Sequence, residues 1–171
     1  MGFSDPCFLG DDRLTIKAIL GAEMTGMEIL KPVVALAIWT MVMWLWMYVT
    51  RIPAVGALPK SDEANADIGW TGAKLEGLLP PSVQWKAHNY NHLHEAPTVF
   101  YAVCLVLALI HQGVGLNLTI AWVYVALRVV HSIFHATVNR VMPRFALFAL
   151  SSLALIMLIA HAAIAVFSGA V

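Results

Sequence analysis

The chain has 171 residues, of which 60% are hydrophobic and 12% charged, and it carries no net charge. A soluble domain has about a quarter charged residues, so this composition cannot supply a polar exterior and much of the surface must face lipid. Zero net charge speaks against nucleic acid as a partner, the length suits one domain, and Cys7 and Cys104 have neither metal nor redox spacing.

Residues 1–28 read as a polar N-terminal tail. Five acidic residues mix there with Arg13 and Lys17, and no apolar core of a signal peptide is present. Met24 and Met27 stand just before the first hydrophobic run, so residues 1–23 are expected to be a disordered tail or a start-site artefact. The first span, a helix over about 32–50, holds no charge until Trp44, Trp46, Tyr48 and Arg51 mark a water interface. Residues 52–82 are rich in Pro and Gly and form the long loop, with room for short helical pieces. The apolar run Pro97 to Ile110 is too short to cross a bilayer, which takes about 20 residues. It is therefore joined to the polar run before it as one long helix, roughly 82–111. Gly113 and Gly115 make a turn, and the third and fourth helices cover about 116–138 and 143–168, with Pro143 in a first turn. The expected fold is all-α, an integral membrane four-helix bundle over residues 29–171. Arg51, Lys60, Lys74 and Lys86 near the first loop, with Arg140 and Arg144 at the third, put both loops on the cytoplasmic side.

Between Ala87 and Asn139 only Glu95 and Arg128 are formally charged. Charges inside spans are costly and mostly face the bundle interior, so both are expected to be buried and to face each other. Glu95 lies 16 residues from His111 and Arg128 lies 12 from Leu116, on either side of the same turn. At about 1.5 Å per residue their depths differ by roughly one helical turn. His88, His92 and Glu95 share one face of the second helix, and Tyr124, Arg128, His131 and His135 share one face of the third. The same count brings His131 near Glu95 and His135 near His92. Such a cluster also suits an internal network that fixes helix packing. His94 lies off this face, and Trp39, Trp44 and Trp46 read as interface anchors.

Lys86-Ala87-His88, the run Asn91-His92-Leu93-His94-Glu95-Ala96-Pro97, the third-helix run from Arg128 through His131 to His135, and Asn139-Arg140-Val141-Met142-Pro143-Arg144 resemble the membrane-associated proteins in eicosanoid and glutathione metabolism. The resemblance covers about residues 30–168, and its third-helix motif is the most specific part. It departs at His88, His92 and His135, which stand where the family has arginine, asparagine and tyrosine. The resemblance implies a homotrimer that uses glutathione as cosubstrate on a lipophilic small molecule drawn from the membrane lipids, while the absence of a signal peptide and the short loops point to a bacterial inner membrane. Glu95 would pair with the glutathione amine, and Arg51, Lys86 or His88 with its carboxylates. Asn91, His92, Tyr124, His131 and His135 would line the site. Arg128 would be catalytic by stabilising the thiolate, since a cation beside a thiol favours the nucleophilic form. Two alternatives stand beside this reading. One is a non-enzymatic lipid-binding or scaffold protein of the same fold. The other is a metal-dependent enzyme, because His88 with His92 and His131 with His135 have the four-residue spacing of helical metal ligands, to which Glu95 would add a carboxylate.

Overall fold

The computed structural model describes residues 26–58 and 71–169, all of whose regular structure is helical. A 3-10 turn, Met27–Ile29, leads into α1 (Leu30–Gly56). Next come α2 (Gly72–Leu78), α3 (Pro81–His92), α4 (Ala96–Leu109), α5 (Leu116–Thr137) and α6 (Val141–Phe167). Four helical stretches are long and apolar enough to cross a membrane: 27–56, 81–109, 116–137 and 141–167. The chain is thus an all-α, multi-pass membrane protein. The expectations for residues 1–23 fall outside the described residues.

The first span runs further than its apolar stretch. Pro53 lies inside the last turns of α1, where its missing N–H costs one helical bond without ending the helix, and its own carbonyl accepts from the Ala57 amide at 3.1 Å. Among the described residues, the long loop holds one short helix, α2. Thr71 caps it by accepting from the Lys74 amide at 3.3 Å, as an N-cap hydroxyl does.

The second span is not the continuous helix expected over 82–111. Leu93, His94 and Glu95 interrupt it between α3 and α4. The cause is Pro97, which has no N–H for the Leu93 carbonyl four residues back and whose ring crowds that carbonyl. The chain turns instead, the His94 amide reaching the Asn91 carbonyl at 2.9 Å and the Thr98 amide the Glu95 carbonyl at 3.1 Å. Pro81 and Pro97 both sit in first turns, where a missing donor is tolerated.

The helices bury Leu36, Met43, Phe100, Leu107, Tyr124 and Leu158 against one another. Phe100 and Tyr124 stack with ring centroids 4.4 Å apart. Outward-facing positions such as Ile38, Leu45, Leu109, Leu153, Ile156 and Ile164 are large and apolar. Lipid tails are as apolar as these side chains, so close packing and interhelical hydrogen bonds carry the association. One such bond joins Asn89 of α3 to Ser132 of α5 at 2.6 Å, both fully enclosed. The hydroxyls of Thr40, Ser151 and Ser152 donate to carbonyls three or four residues back in their own helices, which satisfies them within the spans.

The turn after α4 is fixed by close approach. A Cβ on Gly113 would stand 1.8 Å from the Gly26 carbonyl oxygen, so only glycine admits the N-terminal segment there. Gly115 has φ +58, a left-handed conformation that glycine adopts without cost.

Candidate functional site

The interruption between α3 and α4 builds the site. At its start the His92 carbonyl, which the Glu95 amide reaches at 3.5 Å, accepts from Arg128 Nη2 at 3.0 Å. Arg128 is 1% exposed, its guanidinium carbon lies 5.9 Å from the Phe148 ring centroid, and its Nε and Nη1 have no hydrogen-bond partner among the described residues. Glu95 does not meet it. The expected buried, facing pair is corrected here: the Glu95 side chain is 66% exposed and bonds His92 Nδ1 at 2.5 Å. The physical reason is the helix break, which swings residue 95 off the line that a continuous helix would have given it.

The His92 ring stacks on Phe148 of α6 with centroids 5.4 Å apart, and lies 5.4 Å from the His131 ring and 6.1 Å from the His135 ring. His135 therefore sits beside His92 as the depth count placed it, while His131 approaches His92 rather than Glu95. His131 Nδ1 donates to the Arg144 carbonyl at 3.1 Å, which leaves Nε2 as the acceptor of a neutral ring. That nitrogen and His135 Nδ1 are buried without partners among the described residues.

These rings open on a cavity of about 420 Å³ lined by His88, His92, Glu95, His131, His135, Val141, Arg144, Phe145 and Phe148. Arg144 is its bordering guanidinium, with one nitrogen donating to Asn139 Oδ1 at 2.6 Å. Sequence reasoning had used Arg144 only for orientation and loop resemblance. The available signal was a cation one residue after Pro143, in the first turn of an apolar helix. Phe148, whose ring touches both His92 and His131, carried no signal at all.

A second cavity of about 280 Å³ shares His88 and is lined also by Arg51, Glu76, Gln84, Tyr90 and Asn91. Arg51 Nη2 donates to Gln84 Oε1 at 3.4 Å, and Arg51 Nε and Gln84 Nε2 are buried without partners among the described residues. His88 Nε2 meets Glu76 at 2.8 Å. Two expected ligand residues are turned elsewhere. Lys86 donates to the Ser82 carbonyl at 2.6 Å and lies 5.6 Å from the Trp46 ring centroid. Tyr124 is sealed against Phe100, with its hydroxyl unpartnered among the described residues. His94 bonds the Tyr90 carbonyl at 2.9 Å, away from the cavity's lining. Among the described residues, no three His, Cys, Asp or Glu side chains are grouped to hold a metal ion.

The arrangement offers two guanidinium groups, four imidazoles and carboxylates around adjoining cavities at one end of an otherwise apolar bundle. It suits a polar, zwitterionic ligand that meets an apolar one. No curated protein and no solved structure matches the chain. The model of the MAPEG family matches residues 29–164, which takes in both cavities and all but the outer two or three residues of the first and last spans, and the chain belongs to that family.

Proposed function

We propose that this protein is a glutathione-dependent transferase or peroxidase-like enzyme acting on lipophilic electrophiles. The observation that carries the reading is the cavity where Arg144, His92, His135 and Glu95 come together at the polar end of the spans, in a family whose members include glutathione transferases and peroxidases. Glutathione has two carboxylates, an amine and a thiol. Arg51, with unpartnered Nε beside Gln84 and Asn91, suits a carboxylate. Glu95 and Glu76 suit the amine. A guanidinium favours the thiolate over the thiol, and Arg144 borders the cavity while Arg128 stands behind the His92 carbonyl. The apolar substrate reaches the thiolate from the lipid. By family resemblance the protein acts as a homotrimer; the short loops favour a bacterial inner membrane, and the basic residues of the first loop favour its cytoplasmic side.

Thermal melting with glutathione, followed by turnover with a chlorinated nitroaromatic electrophile, tests this reading. Glutathione at 100 times its dissociation constant stabilises by about 2.7 kcal/mol, a clear rise in melting temperature. Arg144→Ala should lose about tenfold or more in kcat/KM, equivalent to about 1.4 kcal/mol. No stabilisation and no conjugate from the wild-type protein would overturn the proposal.

One observation favours a second reading, that of a lipid-binding protein without catalysis. An apolar groove of about 290 Å³ runs between α4 and α6, lined by Ala102, Val103, Val106, Ile159, Ala162 and Phe167 among others. Its apolar lining suits an acyl chain. Retained phospholipid in the purified protein together with an absence of turnover would favour this reading over the first.

A further inference from the structure

His92 is held on three sides. Its carbonyl is fastened by Arg128 at 3.0 Å, its ring is stacked on Phe148, and its Nδ1 is bonded to Glu95 Oε2 at 2.5 Å. An ionised carboxylate only accepts hydrogen bonds, so Nδ1 carries the proton and Nε2 of the neutral ring bears the lone pair. The ring lines the cavity that Arg144 borders. A carboxylate that fixes the tautomer of an imidazole, and steadies it when it becomes charged, is the recurring design of a general base.

We propose that His92 is the general base of this cavity, with Glu95 as its positioning residue. In the conjugation reaction His92 Nε2 takes the proton as the S–H bond breaks. The sulfur electron pair forms the C–S bond, and with an aryl chloride the C–Cl pair departs as chloride. The proton then passes from His92 to solvent. The thiol as nucleophile rests on the glutathione reading, whereas the base itself rests on the geometry of His92. Glu95 consequently acts through His92 rather than by binding an amine alone. The charged and titratable groups facing His92 are Glu95 and His88 from its own strand of chain, Arg128, His131 and His135 from α5, and Arg144 from α6; Arg51 of α1 lies beyond His88.

The test has two arms on the full-length protein in lipid nanodiscs. In the first, diethyl pyrocarbonate acylates histidine lone pairs, and mass spectrometry compares His92 with exposed His94 between about pH 5 and 8. Wild-type His92 should react faster than His94. Glu95→Gln should slow His92 by about tenfold or more, because an amide no longer fixes the tautomer. In the second arm, His92→Gln should lower kcat by about a hundredfold and flatten the acid limb of the rate–pH profile, with melting unchanged within a few degrees. Glu95→Gln should lower kcat, whereas an amine-binding role alone would raise KM and leave kcat nearly the same. Fast, Glu95-dependent acylation in a protein without turnover would remove the glutathione reading and support the base. Equal reactivity of His92 and His94, or an unchanged rate–pH profile in His92→Gln, would overturn the proposal.

Discussion

The Arg128 guanidinium of α5 donates to the backbone carbonyl of His92 at 3.0 Å, across the point where the second span breaks. An intramembrane cation is thereby spent on a backbone carbonyl at a helix break instead of on a carboxylate. Arg128→Ala removes this bond and leaves a void beside Phe148, and should destabilise the protein by about 2–4 kcal/mol. Arg128→Met keeps the volume and removes the unpartnered donors, so it should cost about 1 kcal/mol. Thermal melting of both variants in the same detergent checks the order. If Arg128 itself stabilises the thiolate, Arg128→Met will abolish turnover while remaining folded.

Pro97→Ala restores a donor for the Leu93 carbonyl and should allow α3 and α4 to join. Amide exchange over residues 93–98 should slow. Glu95 would keep its place three residues on from His92, while the His92 carbonyl would turn to the Ala96 amide and away from Arg128. Faster or unchanged exchange would show that the break has another cause.

Ser132→Ala should cost about 0.6 kcal/mol, the average for an interhelical hydrogen bond in a membrane bundle. Asn89→Leu should cost more, because it leaves the Ser132 hydroxyl enclosed without its partner and strains a site sized for asparagine. Unfolding in mixed micelles separates the two.

Gly113→Ala places a methyl 1.8 Å from the Gly26 carbonyl oxygen, a contact that backbone must relieve. The segment Gly26 to Ile29 should detach from the turn between α4 and α5, exposing Ile29. Limited proteolysis should then cut near Met27 much faster than in the wild type, while Gly77→Ala, whose added methyl meets nothing within 4 Å, should leave cleavage unchanged.

The number of spans was legible because a bilayer imposes a length on apolar runs, and runs can be read directly. The polar faces were legible too: His88, His92 and Glu95 share a spacing, and the cavity's lining contains all three. Helical periodicity assumes an unbroken helix, however, and Pro97 invalidated that assumption two residues past the acid it was used to place. Glu95 therefore moved from the interior to His92, and Arg128 acquired a carbonyl as its partner.

Sequence alone determined that this is a four-span membrane protein with imidazoles and guanidinium groups at one end, since composition and apolar length depend on no contact between helices. Tertiary structure decided which of those groups act together. Arg144 enters the cavity because α6 packs antiparallel on α5, and Tyr124 leaves it because Phe100 covers the ring. Such choices depend on how neighbouring helices rotate and interlock, and the spacing along any single helix carries no information about its neighbours.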